Sequence, residues 1–193
     1  MKYEYVDGDI LCKYKNLDSK LIYDLLEYSD NSMWKKSKNS SDSQKTQSLC
    51  RKFYIEKTKK RVDMFMSTRN IHDKTNLING MEVATVDCLL DSACKIDLLN
   101  GIMGNFHGDF ILENIIFDNK DFTFIDWRQD FAGEISLGDI YYDLAKLNHN
   151  ISFNHDIIRN GGFSCIIEDS NNITVDLMCS HKLLSAKKGL LDF

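Results

Sequence analysis

The chain contains no proline. Turns and helix ends must therefore be read from Gly, Asn, Asp and Ser. The accompanying richness in Asn, Lys and Ile is the composition of an AT-rich gene. Positive charge is in short supply, with Lys and Arg at 24 against 29 Asp and Glu, for a net charge of −5. There is no contiguous basic patch with interleaved aromatics, which argues against a nucleic-acid partner or a membrane surface. No run approaches the ~20 apolar residues of a membrane span. The N-terminal MKYEYVDGDILCKY lacks the apolar core of a signal peptide. Cys12, Cys50, Cys88, Cys94, Cys165 and Cys179 form no C-x-x-C pair and are irregularly spaced. Neither a zinc site nor a disulfide framework is expected, only free thiols in a reducing cytoplasm.

What is present suits one domain or one large lobe. A chain of 193 residues with 43% hydrophobic content can bury a core. No internal repeat appears. Apolar spacing predicts a helix over Asp18 to Tyr28, with Asp18 or Ser19 as N-cap. A polar loop follows from Ser29 to Ser43, where Trp34 either packs down or touches a substrate. Gln44 to Thr68 reads as one long helix with Lys57, Lys59, Lys60 and Arg61 on a solvated face. His72-Asp73 reads as a turn, because a metal-phosphohydrolase site would need a histidine upstream and His72 is the first. Asn79-Gly80 is a turn signal. Met81 to Leu99 is expected to be helical, ended by Asn100-Gly101. Its acids Glu82, Asp87, Asp91 and Asp97 form a solvated face or face a cationic substrate. Trp127 to Ser136 reads as a loop, Leu137 to Asn150 as a helix, and His181 to Phe193 as the start of another. Phe163 to Ile167 and Ile173 to Leu177 read as a hairpin turning at Asp169-Ser170-Asn171-Asn172.

The chemistry concentrates between Phe106 and Leu147. Ile115 to Phe117 and Phe122 to Ile125 are β-prone, and Asp118-Asn119-Lys120-Asp121 between them is turn sequence. If Phe117 pairs with Phe122, Asn114 falls opposite Ile125, one residue from Asp126. Cross-strand Cβ atoms lie roughly 4.5–5.5 Å apart, so an amide oxygen and a carboxylate meet at the open end of the hairpin. Such a pair suits a hard cation such as Mg²⁺. Asp109, on the loop feeding the first strand, is then placed to accept a proton from an attacking hydroxyl. Asp139 and Asp143 share one face near a helix start, where acids suit the helix dipole.

Taken together, H-G-D-x-x-x-x-N, I-D-W and L-G-D-x-x-x-D-L-A resemble the catalytic core of the aminoglycoside phosphotransferase and choline kinase family. Any single piece would be weak; the spaced set is specific. The resemblance implies an α+β protein-kinase-like fold, here a mostly helical C-terminal lobe with short β-hairpins. It implies ATP and Mg²⁺ as cofactors and transfer of the γ-phosphoryl group to a small-molecule hydroxyl. It makes Asp109 the catalytic base, Asn114 and Asp126 the Mg²⁺ ligands, and His107 a prop of the catalytic loop. Asp139 becomes a helix-start carboxylate bracing that loop. YEYVDGDIL resembles the family's hinge, which places Tyr5 beside the nucleotide; an ordinary edge strand over Tyr3 to Val6 is the other reading. Residues 1–12 are then a hinge-like segment and 13–193 the catalytic lobe. Only Met1 and Lys2 precede the match, so the N-terminal β lobe is expected to be missing, with its glycine-rich loop and strand lysine. A complementing N-terminal lobe is accordingly an expected partner, beside the hydroxyl acceptor.

Two other functions fit the letters. The chain is alternatively an inactive remnant or half-enzyme that binds a ligand or partner without catalysis. A metal-dependent hydrolase built on His107, Asp109 and Asp126 fits less well, because no second histidine sits at ligand spacing.

Overall fold

The computed structural model describes residues 5–37, 43–70, 72, 74, 76–93, 97–128, 130–135, 137–168 and 172–193. The fold is mixed α+β with short sheets. It divides into two compact units, one of Met1–Ser40, Ile102–Asp156 and Cys179–Phe193, the other of Ser41–Gly101 and Ile157–Met178. No described helix is long and apolar enough to cross a membrane.

In the first unit, the apolar, β-prone residues of β5 (Ile115–Phe117) and β6 (Phe122–Phe124) make an antiparallel hairpin. Its turn is closed by Asp118, whose Oδ1 accepts from the Lys120 and Asp121 amides at 2.9 and 2.7 Å. β1 (Asp9–Ile10) adds to the other edge of β5. Among the described residues strand structure begins at Asp9. Tyr5 and Val6 are outside any strand, and Tyr3 and Glu4 lie outside the described residues. A second ladder joins β4 (Met103–Gly104) to β7 (Gly138–Asp139). Helices α1 (Ser19–Ser32), α5 (Ile140–Ser152) and α7 (His181–Asp192) complete the unit. Asp18 caps α1 by accepting from Leu21 N–H at 2.9 Å. The core comprises Leu11, Ile22, Leu25 and Leu26 with Phe110, Leu112, Ile115, Phe131, Leu147 and Ile151, each at most 2% exposed. Trp34 packs down, at 4% exposure, with its ring on Phe110.

The second unit begins with α2 (Ser43–Cys50), which runs through a π-helical stretch, Arg51–Glu56, into α3 (Lys57–Arg69). Asn70 ends it in the left-handed conformation, which relieves the last carbonyls. β2 (Asn76–Ile78) and β3 (Met81–Val83) form a hairpin across Asn79-Gly80, both at positive φ. The helix expected from Met81 therefore begins only at Val86 and is described to Ala93 as α4 (Val86–Ala93). β8 (Phe163–Ile167) and β9 (Asn172–Leu177) form the expected second hairpin. They extend the sheet in the order β3-β2-β9-β8, with β2 and β9 parallel. The turn residues Asp169, Ser170 and Asn171, Cys94, and half of the His72-Asp73 turn lie outside the described residues. A short helix, α6 (His155–Arg159), follows α5.

Candidate active site

The hairpin has the expected backbone register. Phe117 faces Phe122 and Ile115 faces Phe124. The ladder continues one step further, with Ile125 N–H donating to the Asn114 carbonyl at 3.0 Å. Asn114 thus sits one residue from Asp126 across the open end. Its amide nitrogen donates to Asp109, to the backbone carbonyl at 3.0 Å and to Oδ2 at 3.2 Å. This orientation leaves the amide oxygen of Asn114 as its unused acceptor. Asp126 has φ +59°, a left-handed conformation that a short polar residue tolerates best. Its carboxylate is exposed and makes no hydrogen bond or ion pair among the described residues. An amide oxygen and an exposed carboxylate at one hairpin mouth fit a hard divalent cation that keeps some waters.

Asp109 is half-buried, and its Oδ1 lies 2.7 Å from the Lys146 ammonium. Lys146 was not singled out from the sequence. It follows Asp139 and Asp143 along α5 at i, i+4 and i+7, the spacing of one helix face. That spacing was the available signal.

The loop from Phe106 to Asp109 has no ladder of its own, so its amides are held by side chains. Asp143, fully buried, accepts from His107 N–H through Oδ2 and Gly108 N–H through Oδ1, each at 2.7 Å. Its Oδ2 also accepts from the Trp34 indole at 2.9 Å. Burial pushes the Asp143 carboxyl up to about 6, against the pull of these three donors. The loop brace expected from Asp139 thus comes from Asp143, read from sequence only as a helix-dipole acid. Asp139 instead caps α5, accepting from Tyr141 N–H at 3.2 Å, and ties down Ile102 N–H at 2.9 Å. It steadies the strand that leads into the loop.

His107 is fully buried and stacked on Trp127, with ring centroids 4.8 Å apart. Nε2 lies 2.9 Å from the Ile125 carbonyl, which can only accept, so Nε2 carries the proton. Nδ1 then accepts from Asp109 N–H at 3.2 Å. Burial holds the His107 pKa below the ordinary imidazole value, outweighing the Ile125 carbonyl and the Asp109 and Asp126 charges. The ring is thus a neutral spacer between the Asp109 loop and the strand end before Asp126. Gly108, at φ +79°, has no room for a side chain, since a Cβ there would lie 2.5 Å from the Arg128 Cβ. Arg128 N–H also donates to the His107 carbonyl at 2.9 Å.

Tyr5 is 89% exposed and makes none of the contacts that join the other candidates. A cleft of about 470 Å³ borders Trp127 and Arg128, beside Asp126, without reaching Asp109 or Asn114. A separate group, Cys12, Glu113 and Asp156, brings its ligand atoms within 4.8 Å of one another. Burial first, then the Glu113 and Asp156 charges, push the Cys12 thiol up, which keeps a proton on sulfur. Glu113 Oε2 accepts from Asn150, whose own oxygen accepts from Leu112 N–H, so this group ties the segment before Asn114 to α5. Compared with family models, with curated proteins and with solved structures, the chain matches none.

Proposed function

We propose that the chain is a phosphotransferase lobe of the aminoglycoside phosphotransferase and choline kinase type. It would move the γ-phosphoryl group of ATP, or another nucleoside triphosphate, to the hydroxyl of a small molecule. One observation supports this reading: the hairpin register sets Asn114 one residue from Asp126 across the ladder, and the Asn114 amide donates to Asp109. Asp109 takes the proton of the acceptor hydroxyl as that oxygen bonds to the γ-phosphorus. The bond from the phosphorus to the bridging oxygen breaks, and the nucleoside diphosphate leaves. Asn114 and Asp126 would hold Mg²⁺, which when bound offsets charge on the phosphates. His107 and Asp143 take no proton in this scheme; they keep Asp109 and Asp126 at fixed separation.

The test is calorimetry with Mg·ATP, joined to turnover on a panel of hydroxyl acceptors. Asp126→Ala should abolish metal-dependent turnover. Asp109→Asn should lose about 10²–10⁴-fold in rate while keeping Mg·ATP binding, the usual range for a general base. Equal turnover in both variants and the wild type would refute the assignment. Failure of the wild-type chain to bind Mg·ATP would favour the half-enzyme or remnant instead.

A further inference from the structure

We propose that Lys146 is the phosphate-binding cation of this site, and that it discriminates nucleoside triphosphates from diphosphates. The inference rests on the phosphotransfer reading. Its ammonium stands 2.7 Å from Oδ1 of Asp109, the carboxylate that this reading makes the base. A hydroxyl donating to Asp109 sits about 3 Å from the carboxylate, with the phosphorus it attacks about 3–3.5 Å beyond. Phosphoryl oxygens therefore come within reach of a cation on a flexible four-carbon stem.

The acidic charges around the loop favour such a cation beside the metal. Asp109, Asp126, Asp139 and Asp143 all lie along the loop, the hairpin end or the start of α5. A phosphoryl group brought among them is repelled unless positive charge stands between. Among the described residues Arg128 also stands beside the loop, but its guanidinium is turned to Tyr142, donating to the hydroxyl at 3.2 Å. Lys146 is aimed at Asp109 from α5, and at 24% side-chain exposure its charge is less screened than on an open surface. It bridges the carboxylate and the transferred group, so one ammonium serves both.

Calorimetry with Mg·ATP and Mg·ADP on the full chain tests this, using wild type, Lys146→Met and Lys146→Arg. The wild type should prefer ATP by about tenfold, the size of one charge-assisted hydrogen bond. Lys146→Met should weaken ATP by that factor while leaving ADP within about twofold, and Lys146→Arg should keep part of the preference. Equal wild-type affinities for the two nucleotides overturn the proposal. So does a Lys146→Met that weakens both nucleotides alike or neither. Each of those results leaves the phosphotransferase reading standing. A wild type that binds neither nucleotide overturns that reading and this proposal together. Should Lys146→Met fail to fold, the wild-type ratio and Lys146→Arg decide.

Discussion

In the first unit, His107, Asp143 and Asn150 are fully buried and Asp139 is 2% exposed, and each is hydrogen-bonded to backbone. In the second unit, β8 is exposed along its whole length and α3 buries no residue. Phe163, Ile166, Ile167, Leu77 and Met81 all stand at least 43% open there. The difference follows from how each backbone is satisfied. In the second unit the backbone lies mostly in helices and ladders, with Asn79 bridging to Val175 across two strands. The loop from Phe106 to Asp109 has amides that no ladder reaches, so buried polar side chains must meet them. Holding Asp109 and Asn114 in place therefore takes a dense layer of hydrogen-bonded polar side chains. Among the described residues of the second unit, Thr46 is the buried polar side chain, and that unit should open first.

The largest expected effect is at Asp143. Asp143→Ala leaves His107 N–H, Gly108 N–H and the Trp34 indole without their acceptor. An unsatisfied buried donor costs about 1–3 kcal/mol, so a loss of about 3 kcal/mol at neutral pH is expected. Urea unfolding followed by tryptophan fluorescence is the readout, because both tryptophans, Trp34 and Trp127, belong to the first unit. The pH dependence has a definite sign. The folded-state pKa near 6 lies above the ordinary carboxylate value, so between about pH 4 and 6 the folded chain holds a proton that the unfolded chain has lost. On this group's account, stability falls as pH rises through that window and is level above it. The gap between wild type and Asp143→Ala should therefore be wider at about pH 4.5, inside that window, than at about pH 7, above it. A gap that widens with rising pH would contradict the assignment.

Gly108→Ala comes next. The new Cβ would meet the Arg128 Cβ at 2.5 Å, and φ +79° disfavours any L side chain. About 2 kcal/mol is expected, again in the fluorescence transition. Retention of wild-type stability would mean that the loop relaxes freely, and the contrast between the units would lose its basis.

How much of this was legible follows from the range of each interaction. The β5–β6 register was readable because its turn is local: Asp118 closes it through its own side chain three residues ahead. The end of α1 was misread at Tyr28, because Ser29 to Ser32 look like loop. In the structure Ser29, Asn31 and Ser32 donate back to the carbonyls of Leu25, Glu27 and Tyr28, which keeps polar residues inside the helix. Met81 to Val83 carried helical spacing but became a strand. Its partner β2 is secured on the other side by β9, with Leu77 opposite Asn172, a pairing no local pattern announces. The role of Asp143 was hidden for the same reason, since its donors lie 35 and 36 residues away.

The smallest effect tests the other side of the comparison. Ile167 lies on the outer strand of the second unit and is 69% exposed. Ile167→Thr keeps a β-branched side chain and removes little buried apolar area, so stability should change by no more than about 0.5 kcal/mol. Fluorescence should report no shift, because neither tryptophan is in that unit. Far-UV circular dichroism reads both units, and any small change should appear there alone. If the two probes moved together by a kcal/mol or more, the units would share one cooperative transition. The buried layer around Asp143 would then owe part of its rigidity to a sheet whose outer strand faces water.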